Sequence, residues 1–146
     1  MTIRLATIDD IPDLSELLNI LFSQEVEFIP DEIVEQNGLK KIINNPELGF
    51  ILVAEMNSKI CAMVNILYTV STALGTRVAL LEDMITTVQG IGIGSILIQE
   101  AIKIAKQNGC TRVTLLTDNN NFKAIKFYEK NGFIKSSMLP MRLSLT

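Results

Sequence analysis

Apolar and polar residues follow one another along the chain in patterns that predict alternating strands and helices. Alternation over Thr2–Ala6 predicts a first strand. Apolar residues at helical spacing then predict a helix, begun by Asp9 or Asp10 and ending near Phe22. A second helix is predicted to begin at Asp31 and to stop before Pro46, since proline disfavours a helical residue before it.

The middle of the chain has the pattern of a hairpin followed by a longer strand. Apolar runs over Phe50–Glu55 and Lys59–Tyr68 predict two strands that are joined by a turn at Asn57-Ser58. Arg77–Thr87 predicts the next strand, and Ile96–Gln107 has the apolar spacing of a helix.

The last third of the chain continues this alternation. Arg112–Leu116 predicts a strand, Phe122–Lys130 a helix, and the residues from Phe133 onward two short strands that separate near Leu139-Pro140. This order of elements predicts an α/β fold with a mixed sheet. No repeat, low-complexity tract or linker divides the sequence, so we expect a single domain over residues 1–146.

Composition narrows the class of protein. The 146 residues are 48% hydrophobic, which is enough for a packed core. The net charge of −3 argues against a nucleic-acid-binding protein, which would need a basic face. Cys61 and Cys110 are too few for a disulfide framework. No segment resembles a signal peptide and no apolar run reaches about 18 residues, so we expect a cytoplasmic protein that does not enter a membrane.

The sequence contains no histidine. Any general acid or base must therefore be a carboxylate, tyrosine, lysine, cysteine or water. A zinc site that uses histidine is excluded, and two cysteines cannot complete a four-thiolate site, so we expect no metal.

A loop with three glycines follows the strand predicted over Arg77–Thr87. Glycine allows backbone to approach a ligand closely, and the free N–H groups at the start of a helix bind phosphate. The loop therefore predicts a site for a phosphate-bearing ligand, with a plain connection between strand and helix as the alternative. Its residues are Gln89, Gly90, Ile91, Gly92, Ile93, Gly94 and Ser95.

Two segments resemble the signatures of the GNAT superfamily of N-acetyltransferases. One is Gln89-x-x-Gly92-x-Gly94, and the other is Asn121-x-x-Ala124-x-x-Phe127-Tyr128-Glu129-x-x-Gly132-Phe133. The resemblance covers nearly the whole chain and implies a mixed, mostly antiparallel central sheet with helices on both faces. It also implies an N-acetyltransferase with acetyl-coenzyme A as co-substrate. Dimers are common in the superfamily, which leaves a homodimer open.

The resemblance implies a role for each motif residue. The N–H groups of the loop Gln89–Ser95 take the pyrophosphate of the cofactor, and the strand residues Met84, Ile85 and Thr86 pair with its pantetheine arm like an extra strand. Asn121 contacts the cofactor, with a helix cap as the alternative. Tyr128 contacts the cofactor and protonates the departing thiolate, with a core aromatic as the alternative.

A further likeness concerns the acceptor of the acetyl group. Ser71-Thr72-x-x-Gly75 followed by Leu81-Glu82-Asp83 resembles the spermidine/spermine and thialysine acetyltransferases, which implies a small molecule with a primary amine. Glu82 would be the base, and Glu82 and Asp83 would bind the substrate. Neighbours on a strand point to opposite faces, so at most one of them faces a given cleft. Two solvated acids at the sheet edge are the alternative.

Three other functions stay open at this point. A non-catalytic coenzyme A-binding regulatory module would have the same fold, and the acetylated amine could be a protein N-terminus. Gly90-x-Gly92 is also similar to the start of a dinucleotide-binding loop, but Ser95 stands where that loop needs its last glycine, and no acidic residue follows about 20 positions later.

Overall fold

A computed structural model describes residues 1–25 and 27–146 of the chain. The chain divides into two compact units, Met1–Leu115 and Leu116–Thr146. That the two units form one domain stays a prediction.

The first unit is built on a five-stranded sheet in the order β1-β2-β3-β4-β5. Neighbouring strands are antiparallel, except that β4 and β5 are parallel. The predicted mixed, mostly antiparallel sheet is therefore confirmed. Its strands are β1 (Thr2–Leu5), β2 (Gly49–Met56), β3 (Lys59–Ser71), β4 (Thr76–Thr86) and β5 (Val113–Leu115).

The predicted hairpin joins β2 to β3. Asn57 and Ser58 both have left-handed backbone conformations, with φ of 53° and 62°. Two such residues form the tight turn whose twist matches the right-handed twist of the flanking strands. The turn thus sets the pairing of Met56 with Lys59, with which the hairpin begins.

Three helices belong to the first unit: α1 (Ile11–Ser23), α2 (Glu32–Ile43) and α3 (Ile93–Gln107). Asp31, where this helix was predicted to begin, caps α2: its side chain accepts hydrogen bonds from the N–H groups of the second and third helical residues. The third helix begins three residues earlier than its apolar spacing predicted. None of the helices in the described part of the chain has the length and hydrophobicity needed to cross a membrane.

The helices cover both faces of the sheet. On one face, α1 and α2 pack their apolar residues against Ile51, Val53, Met63 and Ile85 of the strands. Side chains that alternate with these on the strands point to the other face, and α3 contacts β2, β3 and β4 there. The buried side of α3 consists of Ile93, Gly94, Leu97, Ile98, Ala101 and Ala105.

The second unit consists of α4 (Phe122–Lys130) and extended chain. The helix has the predicted bounds. The two strands predicted after Phe133 are wrong: residues 133–146, all of them described, contain no strand, and Met141 and Leu145 are 90% and 92% exposed. A strand needs a partner for its backbone groups, and residues 116–146 contain only α4 and irregular chain.

Candidate active site

The last residues of β4 lie beyond its pairing with β5. β5 pairs only with Ala79, Leu80 and Leu81, whereas β3 pairs with β4 as far as Thr86. Within the Met1–Leu115 unit, whose described strands are all listed above, no strand therefore pairs with the outer edge of β4 from Glu82 to Thr86. Such an edge offers N–H and C=O groups to an extended ligand.

The register with β3 determines which backbone groups face this open edge. The Thr87 N–H donates to the Cys61 carbonyl oxygen at 2.9 Å, so this is a hydrogen-bonded position of the antiparallel pair. Such positions alternate along a ladder. Ile85 therefore bonds to β3, and Met84 and Thr86 turn their N–H and C=O groups to the open edge. Met84 and Thr86 are thus oriented as the predicted cofactor strand requires.

A β-bulge interrupts β4 at Glu82. Ile66 pairs with Leu81 and the adjacent Asn65 pairs with Asp83, so Glu82 lies opposite no residue of β3. Because Asn65 and Ile66 are neighbours, they point to opposite faces of the sheet, and so do their partners Asp83 and Leu81. The bulge interrupts the simple alternation on which the prediction of opposite faces for Glu82 and Asp83 was based, so that placement stays a prediction.

Asp83 lies on the face of the sheet that α1 and α2 cover, because its partner Asn65 pairs in turn with Ile51 of that core. Asn65 Nδ2 donates to Asp83 Oδ2 at 3.0 Å. Burial raises the pKa of Asp83 to about 6, the hydrogen bond from Asn65 acts against this rise, and the charge of Glu82 adds to it. The carboxyl group therefore titrates closer to neutral pH than an exposed aspartate does.

Glu82 has different surroundings from its neighbour, since its side chain is exposed at the bulge. The two predicted acids therefore lie together at the bulge, one open to solvent and one partly buried.

The glycine loop turns by means of left-handed residues. Gly90 and Gly92 have φ of 84° and 76°, and Gly92 is the residue that precedes α3. A Cβ built at either position meets no described atom within 4 Å, so the space above the loop is open. The first N–H groups of a helix have no partner within it and lie at the positive end of its dipole. This geometry fits a phosphate group.

The other loop residues differ in exposure. Gln89 and Ile91 are exposed, whereas Ile93 and Gly94 are buried and Ser95 is half-buried in the first turn of α3. Ile93 is 1% exposed and belongs to the core, so its side chain is not available to a ligand.

A short turn joins β4 to the glycine loop. Thr86 Oγ1 accepts a hydrogen bond from the Val88 N–H at 3.3 Å and donates to the Val88 carbonyl oxygen at 3.0 Å. The Thr87 hydroxyl donates to the Cys61 carbonyl oxygen at 3.1 Å. These bonds fix the start of the loop relative to the end of β4.

Two predicted site residues belong to the second unit. Asn121 precedes α4, and its Oδ1 accepts a hydrogen bond from the Ala124 N–H at 3.2 Å, which confirms the capping alternative. The Tyr128 ring packs edge-on with Phe127 and Phe133, at centroid distances of 5.3 and 5.7 Å. The aromatic neighbours hold the ring in place, and its role as an acid stays a prediction.

Sequence reasoning missed Asn65. It is the one polar residue in the apolar run Ile60–Leu67, and a polar side chain in a buried strand needs a partner. That signal was available in the sequence. The identity of the partner was not, because it depends on the bulge at Glu82.

A comparison with family models identifies the class of protein that this fold and loop define. The model of the acetyltransferase (GNAT) family matches residues 11–133. The chain belongs to this family of N-acetyltransferases, as its two signature segments predicted. Members of the family generally use acetyl-coenzyme A.

Two proteins of Bacillus subtilis (strain 168) are similar in sequence. The uncharacterized N-acetyltransferase YhfO is 31% identical over 138 residues, which cover 91% of this chain and 89% of YhfO. The uncharacterized protein YdhI is 38% identical over 53 residues, which cover 36% of this chain and only 33% of YdhI.

A solved structure, described as a possible acetyltransferase from Clostridium difficile 630, has a similar fold. The TM-score is 0.88 at 17% identity, over 99% of this chain and 97% of that one. At this identity the likeness concerns the fold alone.

Proposed function

We propose that this protein transfers the acetyl group of acetyl-coenzyme A to a primary amine of a small molecule, by direct attack of the amine on the thioester. One observation carries the proposal: the open edge of β4 and the left-handed glycines before α3 lie at the two ends of one short turn. Coenzyme A has an amide-bearing arm and a pyrophosphate in the same order, so an edge and a helix N-terminus fit its two parts.

The cofactor is held mainly by backbone groups in this proposal. The C=O group of Met84 and the N–H and C=O groups of Thr86 bind the amides of the pantetheine arm, since they face the open edge. The N–H groups of the loop Gln89–Ser95 bind the pyrophosphate. Asn121 adds a contact through its amide NH₂ group while its Oδ1 caps α4. Acetyl-coenzyme A supplies an acetyl group activated as a thioester.

The acceptor must lose a proton to become a nucleophile. An alkylamine with a pKa near 10.4 is only about 0.04% neutral at pH 7, which corresponds to roughly 4.6 kcal/mol. We assign the removal of this proton to Glu82, directly or through water, because its carboxylate is exposed at the bulge and the chain contains no histidine.

The leaving thiolate must gain a proton. As the amine nitrogen bonds to the carbonyl carbon, the C–S bond breaks and the acylated nitrogen releases its extra proton to solvent. The sulfur takes a proton from the Tyr128 hydroxyl, which regains one from solvent. Reference pKa values near 10 for tyrosine and 8.5 for a thiol are close enough for this transfer. The Met84 N–H, turned to the open edge, is in a position to stabilise the carbonyl oxygen as negative charge develops on it.

The acidic pair at the bulge favours an alkylamine over a protein N-terminus. A terminal amine has a pKa of about 7.7–8.0 and is partly neutral at pH 7, so it needs little help from a base. A non-catalytic coenzyme A-binding module, the other alternative, would need neither acid.

Thiol release in the steady state tests the proposal. With acetyl-coenzyme A present, we expect release with butylamine, and none with N,N-dimethylbutylamine, whose nitrogen would have no proton left to lose after acetylation and so cannot form a neutral amide. A peptide with a free N-terminus serves as the competing acceptor. Release with the peptide alone would assign the protein N-terminus, and release with none of a panel of amines would identify a binding module.

A further inference from the structure

A buried polar pair lies beside the open half of β4. Asn65 is 4% exposed, and its Nδ2 donates to Asp83 Oδ2 at 3.0 Å. The Oδ1 of the same amide is buried and has no hydrogen-bond partner among the described residues. Such atoms are rare in folded proteins, because they lose their contacts with water and gain none in return.

The hydrogen bond fixes the orientation of the Asn65 amide. An ionised carboxylate only accepts hydrogen bonds, so the NH₂ group must face Asp83 and Oδ1 must point elsewhere. The Asn65 amide oxygen, which has no partner, and the Asp83 carboxylate are therefore two hydrogen-bond acceptors that lie side by side. The missing group is a donor, and the negative charge favours one that is positively charged.

The groups around the pair do not supply such a donor. Glu82, on the same strand, acts on Asp83 with a charge of the same sign, and in the described part of the chain no positively charged side chain acts on it. On the opposite strand Asn65 pairs with the apolar Ile51. The residues of α1 buried on this face, among them Leu14 and Leu17, carry no charge. The buried acid of α2, Glu35, accepts a hydrogen bond from the Ser15 hydroxyl at 2.9 Å, so neither of these two groups supplies a cation.

The geometry points to a subsite in which the Asp83 carboxylate and Asn65 Oδ1 bind the ammonium group of the acceptor amine. This inference rests on the proposed function and deepens it, since Asp83 and Asn65 bind the amine and Glu82 takes its proton. The subsite lies one residue from Met84, whose N–H faces the open edge of β4. Two acceptors around one ammonium select a primary amine, which has N–H donors for both, over a quaternary one.

The titration of Asp83 is a direct readout of the subsite. Burial holds its pKa at about 6 in the free protein, and an adjacent cation favours the charged form of the carboxylate. We expect butylamine, added with coenzyme A, to lower this pKa, as followed by NMR of the carboxyl carbon. Butanol, which has the same chain and no charge, should leave it unchanged. An unchanged pKa with saturating butylamine would overturn the inference.

Two variants separate binding of the amine from binding of the cofactor. Asp83→Asn removes the charge and Asn65→Leu removes the amide, so each should raise the calorimetric Kd of butylamine at least about tenfold. The Kd of acetyl-coenzyme A and the circular dichroism should stay those of the wild type. Asp13→Asn, the same chemical change at an exposed position of α1, is the matched control.

The result can be read independently of catalysis. If both variants bind butylamine as the wild type does, the subsite is refuted even where the wild type is an active enzyme. If the wild type binds butylamine through Asp83 but acetylates no amine, the proposed function fails and the subsite stands.

Discussion

At the scale of single residues, the raised pKa of Asp83 makes the stability of the fold depend on pH. Burial raises its pKa to about 6, whereas an aspartate in an unfolded chain has a pKa near 3.9. Between these values the folded state binds the proton more tightly than the unfolded state. The stabilisation is therefore complete below about pH 4 and is lost as the pH rises through about 6.

Asp83→Asn should remove this pH dependence. Asparagine keeps the shape and does not titrate. Between pH 4 and pH 7 the free energy of unfolding of the wild type should fall relative to that of the variant, by up to roughly 3 kcal/mol. Urea unfolding at a series of pH values measures the difference. Parallel curves for the two proteins would mean that Asp83 has an ordinary pKa.

Glu82 allows a kinetic test of the proposed base. Glu82→Gln keeps the size and removes the basicity, so the rate with butylamine should fall at neutral pH. It should recover as the pH rises toward about 10.4, tenfold for each unit, because the neutral amine becomes more abundant. The pH profile of kcat/KM measures this recovery. A profile identical to that of the wild type would show that water takes the proton.

Tyr128 allows the corresponding test of the proposed acid. Tyr128→Phe removes only the hydroxyl and keeps the ring that packs with Phe127 and Phe133. General acid catalysis typically contributes 10²–10⁴-fold, so kcat should fall at least about tenfold while the Kd of acetyl-coenzyme A is unchanged. A variant with the kcat of the wild type would make Tyr128 a packing residue and solvent the proton donor.

At the scale of secondary structure, the sequence predicted the elements well wherever their cause is local. The hairpin turn was predicted at Asn57-Ser58 and the start of α2 at Asp31, and the structure has the turn there and α2 directly after Asp31. The bulge at Glu82 has no such local signal, since it arises from the register between β3 and β4. The pairing of Asn65 with Asp83 depends on that register and was missed for the same reason.

The glycine loop is tested by a pair of glycine substitutions. Gly92→Ala puts a side chain at a left-handed position, which costs about 1–2 kcal/mol, and directs it into the open space proposed for the pyrophosphate. We expect lower stability in urea and a higher Kd for acetyl-coenzyme A.

Gly38→Ala is the matched control for this change. Gly38 lies within α2 without a positive φ, and a Cβ there also meets no described atom within 4 Å. Alanine should stabilise that helix by about 0.5–1 kcal/mol without affecting the cofactor. If Gly92→Ala and Gly38→Ala have equal Kd values for acetyl-coenzyme A, the loop only connects β4 to α3 and does not bind the cofactor.

At the scale of the whole molecule, the family and the fold could be predicted from the sequence, whereas the secondary structure after Phe133 could not. One family model spans residues 11–133 and so includes parts of both units. The prediction of two strands after Phe133 was wrong because alternating apolar residues show only that a segment is suited to a strand. They do not show that a neighbouring strand is present to pair with it. Isolated alternation is therefore weaker evidence than two motifs in the right order.

The most direct test of the proposed activity is a single incubation of the protein with acetyl-coenzyme A and butylamine, analysed by mass spectrometry. The proposed function predicts N-acetylbutylamine and free coenzyme A in equal amounts, both dependent on the protein and on the amine. Binding of acetyl-coenzyme A without acetylated amine, or release of coenzyme A at the same rate with and without butylamine, would contradict transfer to a primary amine.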